Sequence, residues 1–513
     1  MSHSRSGRSL GTRSFKLAAT VVAVGVLAAC STVAPTAIEQ PDLKKINQAD
    51  TAAMRKDVEP VKGPLTLDEA LARALKYNLD RRTRLMEEAL SFHQLDVTQF
   101  DMLPKLVAQA GYSDRNRERA TYSSQYTPVH EPRDTSRSSY SSAATHNTVD
   151  LGLTWNLLDV MVGQSSSKQA ADRVLISTEK RRKAMHVLMQ DVRTVYWRAV
   201  SAQKLRGSVE STLKMAEAAL ADARKAEAER LRSPLDSLRY QRQLLENLRL
   251  LEAIEQELSS AHVELASLIN APLGQAIPLA EADVDLSSDI ALKTPLAELE
   301  TLALENNADL REQHYNSRIA AEEVRKTMTR LFPNLSFSYG VKYDSDAYLV
   351  HNNWNEAGLQ LSFNLLNLMT GPTQVKLAEA GVALADQRRM ATQMAVVTQL
   401  HLARLQLQNA RAQFSRADAI YSTDQKIADQ VKARQSVQAQ SQLDLVANET
   451  TAILSLLRRY QALSQVHLAE SRLIANLGLE PRLGSSGELT LAQLTEQVKG
   501  NPWTVLGTNK AAK

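Results

Sequence analysis

The side chains that could carry covalent or metal chemistry are few and badly spaced for it. The ten histidines are scattered, and with one cysteine in the chain no His or Cys pair stands at metal-ligand spacing. Such histidines belong to surfaces or helix seams rather than to a metal site. Aspartate and glutamate are plentiful, but they fall on amphipathic helical stretches, where solvated structural roles dominate. No glycine-rich phosphate loop follows a strand, so any nucleotide-driven step belongs to another polypeptide. The twelve methionines form no cluster that argues for copper transport. Neither an enzyme nor a resident metal or cofactor is expected. Lys and Arg number 61 against 57 Asp and Glu, a net charge of +4, and the two signs are interspersed. That pattern argues against a dedicated nucleic-acid binder.

One reactive group remains, the thiol of Cys30. Arg5, Arg8, Arg13 and Lys16 precede an apolar run from Leu17 to Leu27, which is too short to span a bilayer as a helix. Leu27-Ala28-Ala29-Cys30 closes the run and resembles the bacterial lipobox, whose cysteine is acylated and becomes the mature N-terminus. An ordinary secretory signal with a buried cysteine is the alternative. Cys30 has no partner for an internal disulfide. Ser31, rather than Asp, follows it, which resembles the pattern sorted to the outer membrane. Residues 1–29 thus read as a lipoprotein signal peptide, and residues 30–63, polar and proline-rich, as a tether.

The elements beyond residue 63 occur twice. Ala74-Leu75-Lys76-Tyr77-Asn78-Leu79-Asp80 recurs 229 residues later as Ala303-Leu304-Glu305-Asn306-Asn307-Ala308-Asp309, and Leu103-Pro104-Lys105-Leu106 as Phe332-Pro333-Asn334-Leu335. From Leu153-Thr154-Trp155-Asn156-Leu157-Leu158-Asp159 onward the offset is 208, carrying Gly163 onto Gly371 and Leu235-Asp236 onto Leu443-Asp444. One fold is therefore present in two copies. The 21-residue difference falls between the two strand-like segments of each copy, where a loop absorbs length. The copies are placed at 64–275 and 295–481, with a linker at 276–294 and a tail at 482–513.

Within each copy the periodicity assigns the elements. Thr66 with Glu69 forms a capping box, predicting a helix from there to about Met102, where Pro104 stops it. Leu335, Phe337, Tyr339, Val341 and Tyr343 alternate with polar or small residues, as do Ala357, Leu359, Leu361 and Phe363, which predicts two half-buried strands. In the first copy the connection from Ser113 to Asn147 reads as an exposed, mobile loop. A helix restarting at Gly163 and running to about Glu229 would be about 100 Å long. Leu251, Ile254, Leu258, Ala261, Leu265 and Leu268 then step by three and four as the seam of a return helix half that length. The opening and return helices together match the long one, which predicts one long helix laid beside two short ones stacked end to end.

Four strands with one apolar and one small polar face do not close a barrel alone. Association through strands, with lipid on one face and water on the other, solves both problems; a small soluble sheet packed on helices is the alternative. The duplicated Leu/Phe-Pro-x-Leu, the Asn-Leu-Leu closing the second strand, the following glycine and the Ser-x-Leu-Asp turn resemble outer-membrane efflux proteins of the TolC family, lipid-anchored type. The resemblance covers roughly 65–481. It implies a mainly α fold with a small β part: a homotrimer whose strands form one twelve-stranded β-barrel above a periplasmic α-helical tunnel. It implies an exit duct in the outer membrane, passing cargo from an inner-membrane pump and a periplasmic adaptor to the exterior. It places adaptor docking at Ser233, Leu235, Asp236, Ser441, Leu443 and Asp444, and the entrance constriction at Asp444. The glycine usual five residues before the Leu-Asp pair is Arg230 in one turn and Gln438 in the other. A periplasmic coiled-coil adaptor or structural lipoprotein is the alternative function.

Replacing Cys30 with Ala is expected to abolish incorporation of labelled palmitate into the chain. Undiminished labelling would place the lipid elsewhere.

Overall fold

A computed structural model describes residues 37–122, 138–229, 233–275, 277–280, 290–436, 442–479 and 489–499. The chain divides into two compact units at Asp57 and Val58. In the first unit, Gln40–Arg55 is a helix, α1, none of whose residues is buried. The expected tether therefore contains sixteen helical residues. Pro41 sits in the first turn, where it is tolerated, and no proline or glycine follows before Lys56.

The second unit holds both copies. The predicted opening helix is two helices, α2 (Leu67–Tyr77) and α3 (Leu79–Phe100). Thr66 caps the first as expected, its hydroxyl accepting the Glu69 N–H at 3.2 Å. The break falls at Asn78, whose backbone is extended (φ −61°, ψ 130°). The strands β1 (Lys105–Asp114), β2 (Arg119–Tyr122), β3 (Ser138–Ser142) and β4 (Thr145–Asn156) follow. Helix α4 (Leu157–Ala228) spans 72 residues, about 108 Å, and α5 (Pro234–Leu268) returns along it with 35. After the short α6 (Ile290–Lys293) the second copy repeats the plan. Its elements are α7 (Leu296–Asn306), α8 (Ala308–Thr329), β5 (Asn334–Asp344), β6 (Asn353–Ser362), α9 (Asn367–Ser436) and α10 (Gln442–Asn476). Asn307 breaks its opening helix as Asn78 does, at φ −62° and ψ 128°.

These two asparagines join helix ends. The Asn78 side-chain oxygen accepts the Arg81 N–H at 3.0 Å, capping α3, while its amide donates to the Leu268 carbonyl at the end of α5 at 3.1 Å. Asn307 accepts from Asp309 and Leu310 and donates to the Asn476 carbonyl at the end of α10 at 3.1 Å. Each return helix finishes on a left-handed residue, Asn270 (φ 53°) or Gly478 (φ 62°). The Ala271 N–H then reaches back to Ala266 O at 2.8 Å, and that of Leu479 to Ile474 O at 3.1 Å. The predicted end-to-end stack is real but shorter than expected. Its members have 35 and 22 residues, because α2 and α7 leave the line at the break.

The long helices begin before the glycines that were expected to restart them. Gly163 and Gly371 lie inside α4 and α9, where they make room. A Cβ on Gly163 would stand 2.6 Å from Met102 Cγ, and one on Gly371 3.0 Å from Leu331 Cδ2. The same close approach at the foot of the strands is therefore built twice.

The main sheet is antiparallel in the order β1-β4-β5-β6. Its central pairing joins the copies, with Gly152 opposite Gly340. The loop expected between the first two strands carries a separate ribbon, β2 paired with β3. At the level of the helix breaks lies a core around Tyr196 of α4, fully buried, whose hydroxyl lies 3.0 Å from Leu65 O and 2.8 Å from Ala280 O. Leu65 and the linker are also bonded through the backbone, Leu65 N–H to Pro278 O and Ala280 N–H to Leu65 O, each at 2.8 Å. The tail is ordered where it forms α11 (Leu491–Lys499), which buries Leu491, Leu494 and Val498.

Asn307→Ala and Asn78→Ala should each destabilise the helical unit by about 1–2 kcal/mol, since each removes a cap and leaves a carbonyl without its donor. Chemical denaturation of the extracted protein measures this. Asn→Asp, which keeps the capping oxygen but not the donor, should recover only part of the loss.

Candidate functional site: duct wall, helical tip and inter-repeat seam

The register of the sheet sorts its side chains onto two unlike faces. Leu106, Leu153, Tyr339 and Ala357 line up across the four strands on one of them. Val149, Leu151 and Val341 share this face, with Trp155 and Phe337 at its helix-proximal end and Tyr112 and Tyr343 at the other. Most of these large apolar side chains are exposed in the single chain. The opposite face carries Thr148, Asp150, Ser336, Ser338 and Gln360, the glycines 111, 152, 340 and 358, and a Lys342–Glu356 ion pair at 2.7 Å. An apolar band between aromatic ends, backed by a small polar face, suits lipid outside and water inside. Strands β1 and β6 lie at the ends of the sheet order, each with one unpaired edge.

At the far end of the long helices the second Leu-Asp turn packs against the first helical hairpin. Leu443 packs on a cluster of Ala219, Leu220 and Ala223 from α4, Leu244 from α5 and Val446 from α10. Leu235 is 57% exposed, and Asp236 lies 3.9 Å from Arg239 on the surface of the first turn of α5. Neither Leu-Asp aspartate is an N-cap. Asp236 and Asp444 are third in α5 and α10, where a carboxylate favours the helix dipole. Ser233 is the N-cap residue of α5 but makes no side-chain capping bond. The Asp444 carbonyl accepts from Asn448 Nδ2 at 2.7 Å, and its side chain is half-buried. Cys30, Ser441, Arg230 and Gln438 lie outside the described residues.

Between the copies, α4 and α8 are held by charge. Asp172 meets Arg318 at 2.6 Å, Lys183 meets Asp309 at 2.7 Å, and Glu179 meets Arg311 at 3.0 Å, while Lys168–Glu322 and Lys180–Glu312 stand at 3.9 Å. Gln169 adds bonds to Ile319 O at 3.1 Å and to Glu323 at 2.8 Å. Arg182 reaches further, its guanidinium 3.3 Å from Gly478 O and 3.5 Å from Asn306 O at the helix junction of the second copy. Asp172 and Glu179 are almost fully buried, so these pairs fix register rather than decorate a surface.

A second contact between copies joins α4 to α10. The Trp197 and His467 rings stack at 5.3 Å with 7° between their planes, and Arg193 Nη1 donates to Ser471 Oγ at 2.8 Å. Burial pushes His467 down to about 4; Arg193 lowers it further and Glu470 opposes both.

Sequence reasoning missed the asparagine junction and this seam. The junction had a visible signal, since Asn-x-Asp recurs as Asn78-Leu79-Asp80 and Asn307-Ala308-Asp309. The seam had none, because its partners lie 124 to 296 residues apart in the chain. Among the described residues no helix is long and apolar enough to cross a membrane, and no group of His, Cys, Asp and Glu could hold a metal ion.

A duplicated sheet with a lipid-type face, continued by helices of 72 and 70 residues, defines the fold of an outer-membrane channel. Known structures share it: the chain has the fold of TolC-family outer-membrane channels. It resembles the Campylobacter jejuni CmeC outer membrane channel at 15% identity, covering 84% of this chain and 89% of that one with a TM-score of 0.60. The open state of the Neisseria gonorrhoeae MtrE outer membrane channel is similar at 16% identity, 80% and 88% coverage and a TM-score of 0.59. CusC, a protein studied for its folding and transmembrane channel formation, matches at 16% identity, 80% and 92% coverage and a TM-score of 0.60. No protein-family profile matches the sequence, and no curated protein matches it by sequence. These neighbours are channels rather than enzymes.

As the pH falls from 6.5 towards 4, His467 should make the protein less stable. Its neutral form is favoured on folding, so that stabilisation is complete above the unfolded value of 6.5 and is lost as pH falls towards the folded one near 4. Burial raises Asp68, which acts in the opposite sense, so the informative quantity is a difference. Melting of the helical signal should fall more steeply with acid in the wild type than in His467→Gln.

Proposed function

We propose that this chain is the outer-membrane exit duct of a tripartite efflux or type I secretion system, conducting cargo passively from an inner-membrane pump and a periplasmic adaptor to the exterior. The observation that carries the reading is the continuity of a four-stranded sheet, apolar on one face, with helices of 72 and 70 residues. Three copies would supply twelve strands, pairing β1 of one with β6 of the next, and would remove every open edge. The barrel would sit in the outer membrane, with Cys30 acylated as a second attachment, and the helices would enclose a tunnel into the periplasm at about 1.5 Å per residue.

Two ends of the duct have separate roles in this reading. The tip residues Ser233, Leu235, Asp236, Ser441, Leu443 and Asp444 meet the adaptor, and three copies of Asp444 ring the entrance. Like charges gathered on an axis attract cations and resist anions. The exposure of Leu235 supports docking there, because an apolar side chain in a helical first turn gains by being covered. Arg230 and Gln438, in place of the usual glycines, mark an adaptor class with different contacts at the turn. A periplasmic coiled-coil adaptor or structural lipoprotein fits less well, since it has no use for a sheet with a lipid-type face.

Photocrosslinking from Ser233 and Ser441 in intact cells, with captured partners identified by mass spectrometry, tests the reading. A periplasmic adaptor is the expected product, and its cognate pump gives the cargo class. Crosslinks confined to sister helices or to cytoplasmic proteins would overturn adaptor docking at this tip.

A further inference from the structure

The two copies of the fold meet along one helical seam and leave its equivalent open. Helix α8 packs along both α4 and α9. Its counterpart α3 packs along α4, and the side turned away from α4 exposes Met86, Leu90, Val97 and Phe100. Helix α9 likewise exposes Leu377, Leu384, Met390 and Met394. By the offsets of 229 and 208, Leu90, Val97 and Leu377 take the places of Ile319, Lys326 and Gln169, which bond to one another across the α4–α8 seam. The helix that α3 lacks is therefore an α9, and this chain's own α9 is already engaged by α8.

We infer that α9 of a second copy packs on α3 in the register of the internal α4–α8 seam, and that this outer seam replaces the inner ion pairs with contacts such as Leu377 on Leu90 and Ala380 on Ala89. The inference rests on the multi-copy duct reading and adds to it the register and the chemistry of contact. None of the five inner ion pairs has an outer counterpart. The Asp172–Arg318 pair becomes Ala380 facing Ala89, and Lys183–Asp309 becomes Ala391 facing Asp80. Glu179–Arg311 becomes Gln387 facing Arg82, and the two longer pairs become Arg388 facing Thr83 and Lys376 facing His93. Where Gln169 bonds to the backbone of Ile319, Leu377 would instead lie on Leu90. In place of Arg182, anchored on the helix junction, stands Met390.

The divergence has a physical use. If α3 took the place of α8 inside one copy, Ala89 and Arg82 would replace Arg318 and Arg311, and the almost fully buried Asp172 would lose its partner. An uncompensated buried charge is strongly disfavoured, so the ionic seam admits α8 alone. The outer seam, which makes no such demand, is left for another chain.

The test is a full-length double variant, Ala89→Cys with Ala380→Cys, treated with a short thiol-to-thiol crosslinker in membranes. Covalent dimers and a closed trimer are expected on a denaturing gel, while each single variant, which still contains Cys30, stays monomeric. Absence of these products from protein that is trimeric by native mass spectrometry would overturn the seam and leave the duct reading standing. Absence of any oligomer would overturn both. A rescue gives a second readout. Ala89→Arg should lose trimer, and adding Ala380→Asp, which transplants the inner Asp172–Arg318 pair, should restore it. Equal loss in both variants would count against the register.

Discussion

Two asparagine side chains set the geometry on which the rest of this molecule depends. A helix some 108 Å long needs a partner along its whole length, and the chain supplies it in two pieces that must meet without a gap. Asn78 and Asn307 each use one face of an amide to cap the start of one piece and the other to cap the end of its neighbour. An amide carries its acceptor oxygen and its donor nitrogen on separate atoms, so it can reach two helix ends at once. Because the break falls there, α2 is freed to turn aside and join the core around Tyr196, and α7 to join a second core with α9 and α10.

Duplication then converts one solution into two, and the differences between the copies carry the information. The glycine against the end of the short helix is kept in both, at 163 and 371, because both copies face the same collision. The left-handed cap is kept, but its residue differs. Asn270 serves in the first copy, whereas Gly478 is required in the second, where a Cβ would collide with the Asn306 backbone. That crowding arises where Arg182 of the first copy grips the junction of the second. Conserved positions thus report the fold, and altered ones report which neighbour each surface meets.

Much of this was legible in the residues themselves. The two offsets located the copies, and the alternation from Leu335 to Tyr343 located the strands, because a sheet with one apolar face and a small polar back writes its period into the sequence. The return helices were legible from their three-four stepping. The helix breaks were marked only by the repeated Asn-x-Asp, which periodicity alone passes over, since an asparagine amid helical periodicity costs little and its partner lies 190 or 169 residues away. Helix α1 was hidden by the polar composition around it, and α11 by its nine residues. At the tip, the Leu-Asp pairs marked the right end of the molecule, but their aspartates sit third in the helix rather than at the cap, which spacing alone did not distinguish.

The open edges of the sheet carry a consequence for supply rather than for shape. Every interior strand of the sheet is satisfied within one chain, but β1 and β6 each leave one edge to be completed by something else. Whatever stabilises those edges enters the equilibrium as a concentration. If further copies complete them, as in the proposed duct, the yield of well-formed sheet scales with how many chains meet at one time, so expression level becomes a determinant of structure.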